Sequence, residues 1–168
     1  YNFKEDIGAI NNALGYINMR QNKPETLTYL NEAIKHIEDP ETKSICYSNF
    51  AIYYANNSQF ENALQYAQKA IGLLVKFDAS NNYNIPDLDT VKESPYKQEL
   101  LTALIEKAEI LIKKNKVSHQ KKDLISALEL LNLSDELTEF IRLESEATDS
   151  KLFWRKKASR IYTNAVDV

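Results

Sequence analysis

A chain of 168 residues can bury one sizeable core, enough for one domain or a short repeat array. Its 43% apolar and 27% charged residues argue against disorder, and three Gly and four Pro are too few turn residues for an all-β fold. A net charge of −3 with both signs interspersed disfavours nucleic acid or an anionic membrane as partner, and no apolar stretch approaches a membrane span.

From about Phe3 to Arg20, the residues Ile7, Ile10, Ala13, Leu14 and Ile17 recur at helical spacing and mark the apolar face of a first helix. Gln21 to Pro24 breaks it. Pro24 suits the first turn of a second helix, which carries Leu27, Leu30, Ala33, Ile34 and Ile37 and ends near Pro40. In the stretch 47–71, YSNFAIYYANNSQFENALQYAQKAI, two short helices fold back on each other near Asn57 and Ser58. Ala51 and Ala63 are the small residues expected where helix axes cross about 8–10 Å apart. Tyr47, Phe50, Tyr54 and Phe60 would fill the space around that crossing. Such a hairpin cannot cover its own apolar surface, so similar hairpins should stack on it. Aligning Asn12 with Asn49 places the first hairpin 37 residues earlier (49 − 12), with Leu14 and Thr26 in its small-residue positions.

Residues 78–95, DASNNYNIPDLDTVKESP, have the composition of a long connection, which Tyr83, Ile85, Leu88 and Val91 are expected to pin across the helices. Helical spacing resumes through Leu100, Leu101, Leu104, Ile105, Ala108, Leu111 and Ile112 to about Lys114. A basic, polar linker at 113–122 leads into a helix over Asp123 to Leu143. After a break at 145–150, with Thr148 or Asp149 as a cap, Leu152, Phe153, Trp154, Ala158, Ile161, Tyr162, Ala165 and Val166 predict a last helix without a partner. The expected fold is all-α, with about seven helices. Antiparallel pairs cover 3–38, 41–77 and 96–143, with a connection at 78–95 and a half repeat at 149–166, in a single domain over 1–168. A chain that begins at Tyr1 without Met and ends at Val168 inside a helical pattern reads as a piece of a longer protein.

Tyr47, Phe50-Ala51, Tyr54, Ser58, Phe60, Ala63 and Ala70 stand in an order that resembles the tetratricopeptide repeat, with Ala67 where an aromatic is usual and no closing Pro. The resemblance implies a short right-handed solenoid whose concave side, lined by the first helix of each pair, binds extended peptides. The segment SPYKQELLTALIEKAEIL and the tail SDELTEFIRLESEATDSKLFWRKKASRIYTNA are similar to the tetratricopeptide region of bacterial CHAT-type, caspase-like proteins. That similarity implies a Cys/His peptidase domain beyond Val168.

Carried over by position, the concave side would present Asn11, Gly15, Asn18 and Met19, then Ser48, Ile52, Ala55 and Asn56. Thr102, Glu106 and Glu109 would follow, and finally Arg155, Ser159 and Tyr162. Asn amides can pair with both N–H and C=O of an extended backbone. The family's clamp for a C-terminal carboxylate needs Lys and Asn where Asn11 and Gly15 stand, which disfavours that ligand.

Cys46 is the only cysteine, so neither a disulfide framework nor a thiolate metal site is expected. With His36 nearby it reads as a buried thiol beside an ordinary His, and His119 as an exposed linker residue. There is no His at metal-ligand spacing, no contrasting carboxylate pair and no glycine-rich phosphate loop. Lys113, Lys114, Lys116, Lys121 and Lys122 read as a solvated helix end. Arg155, Lys156, Lys157 and Arg160 are balanced locally by Glu136, Glu139, Glu144 and Glu146. No catalytic, metal or cofactor residue is assigned. The expectation is a cytoplasmic, non-catalytic module that binds a peptide or partner domain on its concave face. The alternatives are a regulatory segment acting in cis on an attached peptidase domain, or a structural array that homodimerises through the half repeat at Phe153 and Trp154.

Overall fold

The computed structural model describes residues 3–144 and 158–165, and every regular element among them is helical. In order these are α1 (Phe3–Arg20), α2 (Thr26–His36), α3 (Pro40–Asn56), α4 (Phe60–Leu74), α5 (Leu88–Lys92), α6 (Lys97–Ser118) and α7 (Lys121–Glu144). A further helical stretch, α8, covers 158–165. The short α5 inside the long connection is the element that periodicity misses. The predicted break at 145–150, with its cap at Thr148 or Asp149, and Leu152, Phe153, Trp154 and Val166 lie outside the described residues. The helices pair α1 with α2, α3 with α4, and α6 with α7; α1 and α2 both touch α3, and α3 and α4 both touch α6.

The first two hairpins close in the same way. Asn22 and Ser58 adopt the left-handed conformation, with φ of 52° and 56°. Around them Lys23 N–H donates to Asn18 C=O at 2.9 Å, and Gln59 N–H to Tyr54 C=O at 2.9 Å. These are the long-reach bonds that terminate a helix on a left-handed residue. The two residues are 36 apart (58 − 22), one fewer than the spacing of Asn12 and Asn49.

One residue turns a helix by about 100°, so this offset decides which face of α1 is covered. Gly8, Asn12, Gly15 and Met19 are buried in α1. Adding 36 to Gly8, Gly15 and Met19 gives Ser44, Ala51 and Ala55, all buried in α3. Gly15, not Leu14, is therefore the counterpart of Ala51. A Cβ at Gly15 would fall 2.5 Å from Leu30 Cδ2, and one at Gly8 would fall 2.7 Å from Ile37 Cγ1. The missing side chains let α1 lie this close to α2. The cost is that Ile10, Leu14 and Ile17, the predicted apolar face, are left exposed.

The second hairpin fills its crossing with rings. Ala51 and Ala63 are both buried in the main core. Tyr66 lies nearly parallel to Phe50 and to Tyr54, with centroids at 4.7 and 5.4 Å, and Tyr47 leans on it at 5.9 Å. Tyr66, one residue before Ala67, supplies the aromatic that position 67 lacks. Lys69 Nζ lies 4.8 Å from the Tyr66 centroid, where the ring face attracts a cation.

The long connection is tied down at several points. Val91 is buried, and Tyr83, Ile85 and Leu88 pack on the core. Lys107 of α6 is fully buried and donates to the Gln68 side chain and to Asn84 C=O, the latter at 2.8 Å. Burial pushes its pKa down to about 7. Tyr83 donates to Asp123 Oδ1 at 2.7 Å and accepts from Lys114 Nζ at 2.6 Å, and Ser118 Oγ donates to Asp123 Oδ2 at 2.9 Å. Lys114 is thus buried, not solvated. Burial would lower its pKa, but Tyr83 and Asp123 outweigh that and raise it. These ties carry α6 on to Ser118, where left-handed His119 (φ 53°) ends it, leaving only residues 119 and 120 between α6 and α7.

Candidate functional site

A cavity of about 920 Å³ lies among α1, α3 and α6, with Arg160 of α8 also on its wall. From α1 come Ala9, Asn12, Ala13, Tyr16, Met19 and Arg20; from α3, Thr42, Ile45, Asn49, Ile52 and Asn56; from α6, Glu106 and Lys113. Asn22, in the turn after α1, adds a further amide. A smaller hollow of about 270 Å³ continues between α3 and α6, sharing Ile45, Asn49 and Glu106 and adding Ser48 and Thr102 among others. The lining positions on α1 and α3 recur at three and four residues (12, 16, 19 and 49, 52, 56), the spacing of one helical face.

Asn49 and Asn12 sit at the junction of α1 and α3. Asn49 Nδ2 donates to Asn12 Oδ1 at 2.8 Å, and both residues are buried. An amide offers two donors and two acceptor lone pairs, so each keeps capacity beyond that bond. Lys113 Nζ reaches Asn56 Oδ1 at 3.4 Å. Arg160 grips Glu109 with two bonds of 2.6 Å, and Asn164 adds a third at 2.9 Å. Burial alone would raise the Glu109 pKa, but these partners outweigh it and hold the carboxyl below its usual range.

The residues carried over from the repeat pattern divide accordingly. Met19, Ile52, Asn56 and Glu106 line the larger cavity, and Ser48, Thr102 and Glu106 the smaller. Asn11 and Asn18 instead turn their amides back onto Ile7 C=O and Leu14 C=O of their own helix, at 2.9 and 2.8 Å. Gly15 faces Leu30 and Ala55 is buried in the core. Glu109 is committed to Arg160, while Tyr162 donates to Asp135 of α7 at 3.2 Å. Arg155, with Lys156 and Lys157, lies outside the described residues. Of the four positions expected on α1 only Met19 lines the cavity; Asn12 and Tyr16, one residue along from Asn11 and Gly15, supply the rest of that face. The signal was the Asn22–Ser58 turn spacing. Arg20, Lys113 and Arg160 had no signal of their own.

Cys46 is fully buried, with Sγ 3.8 Å from Leu30 C=O, and burial pushes its thiol up to about 12. His36 is engaged with Glu32 at 3.1 Å. A thiol so far from ionising is a poor nucleophile. Among the described residues no three His, Cys, Asp or Glu come together as a metal site, and no helix is long and apolar enough to cross a membrane. No family model, curated protein or solved structure matches this chain.

Proposed function

We propose that the chain is a non-catalytic interaction module, a tetratricopeptide-like stack of helix pairs that holds an extended segment of a protein partner along α1, α3 and α6. One observation carries this reading: four amides, Asn12, Asn22, Asn49 and Asn56, share the cavity with Tyr16, Ile45 and Ile52. Amides can bond both the N–H and the C=O of an extended backbone, while apolar neighbours take its alternate side chains. The volume falls within the range of about 300–1,000 Å³ in which proteins enclose ligands. Lys113 and Glu106, both on the wall, suit a segment that carries charges of both signs. The inert Cys46 agrees with a binding role.

Peptides selected from a random display library on the purified chain provide the test. Their affinity should fall about 30-fold or more with Ile52→Glu, which puts a charge amid the apolar lining, and less with Asn56→Ala. Selected peptides that bind both variants as tightly as the parent would sink the proposal.

A further inference from the structure

The face of α1 turned away from α2 is apolar and uncovered. Phe3, Ile10, Leu14 and Ile17 are 71%, 59%, 37% and 48% exposed, and Ile7 between them is half-buried. Their intervals are 4, 3, 4 and 3, the seam spacing by which two helices wind together over a shared line of knobs. Gly8 and Gly15 lie on the opposite side, against α2, so α2 cannot cover the seam. The fold already uses this face of a first helix for docking. Thirty-six residues on, Ile10 and Leu14 become Cys46 and Phe50, which are buried against Leu30 and Ala33 of α2 and Ile37 just beyond its end.

The flanking charges identify the occupant. Asp6 and Arg20 are on the same edge of the seam, fourteen residues apart (20 − 6), and among the described residues neither is in an ion pair. Two α1 helices set antiparallel about a two-fold axis place Ile7 opposite Ile17 of the second copy and Ile10 opposite Leu14. In that arrangement Asp6 comes alongside Arg20 of the second copy, twice, and the small Ala13 meets its own copy near the axis. The paired edge therefore runs along the rim of the cavity that Ala13 and Arg20 also line. Parallel apposition offers no such match, because it sets the Asp6–Arg20 edge of one copy against the edge of Lys4, Asn11 and Asn18 on the other. Because α1 is already ordered by α2, association does not have to nucleate a helix.

We infer that α1 is a self-association surface through which two copies of this chain pair antiparallel, back to back. Sedimentation equilibrium of the full chain over about 1 µM to 1 mM should show a reversible dimer. Leu14→Lys should weaken it about 100-fold while leaving the circular dichroism and melting of the monomer nearly unchanged, because Leu14 belongs to neither core cluster. Asp6→Arg and Arg20→Asp should each weaken it about 10-fold, and the double variant should recover most of the loss. Ala13→Cys should cross-link two copies on mild oxidation, since Cys46 is buried and does not compete. A strict monomer throughout, a dimer indifferent to Leu14→Lys, or charge reversals that do not compensate would overturn the inference. A monomer whose seam is shielded by its own residues would overturn it equally.

Discussion

The first and second hairpins end on the same kind of left-handed turn, yet they bring their helices together by opposite means. In α1 and α2 the contact is made by absence: Gly8 and Gly15 leave room for Ile37 and Leu30 to approach the backbone. In α3 and α4 it is made by filling: Tyr66 lies between Phe50 and Tyr54 over the buried Ala51 and Ala63. The glycine contact needs no large side chain at its closest points, so Ile10, Leu14 and Ile17 are left over on the outside. A single residue of offset between the buried Asn and the turn separates the two outcomes.

The largest test of this contrast is Tyr66→Ala, which removes three ring contacts at once and should cost about 3 kcal/mol of stability in urea unfolding. A loss under about 1 kcal/mol would mean that the rings do not hold the second hairpin. The third hairpin supplies a control that the first two lack, a buried ammonium. Lys107 releases its proton near pH 7 when folded, against an ordinary value of 10.5. Between those values the unfolded chain binds more protons, so stability should rise with pH by up to roughly 1.4 kcal/mol per unit. Below pH 7 the burial cost is fully present. Lys107→Met should flatten that slope, whereas Tyr66→Ala should leave it unchanged.

Gly15→Ala is the sharper probe of the first hairpin. A methyl at a helix interior normally gains about 1 kcal/mol over Gly, but here it is driven into Leu30. The expected net effect is a loss of about 1 kcal/mol; a gain would show that the approach is looser than described. Asn49→Ala, at the junction of the two hairpins, should cost about 1 kcal/mol by leaving the buried Asn12 amide without its partner. Adding Asn12→Ala should cost less than the sum of the two single changes.

The helices of the second hairpin were legible because its small and aromatic residues carry strong signals at the right spacing. The extent of α1 was also legible; its orientation was not. Hydrophobic periodicity points at Ile10, Leu14 and Ile17, and a contact made by glycine has no hydrophobic signal to set against them. The same offset puts Asn12 and Tyr16 on the cavity wall where Asn11 and Gly15 were expected, while Met19 lies on it as expected. Lys114 was taken for a solvated cation because its partner Asp123 lies nine residues on, beyond a turn whose length could not be read from composition. Lys107 and Glu109 likewise owe their roles to partners at 39 and 51 residues' separation.

Among the described residues the longest stretch outside the long helices runs between α4 and α6, and by composition it is where the chain would be cut in two. Gln68 and Ser94 fasten it on one side, and Lys107, Lys114 and Asp123 on the other. It behaves as a rivet, not a hinge. A protease that nicked it should sever the backbone without parting the two pieces.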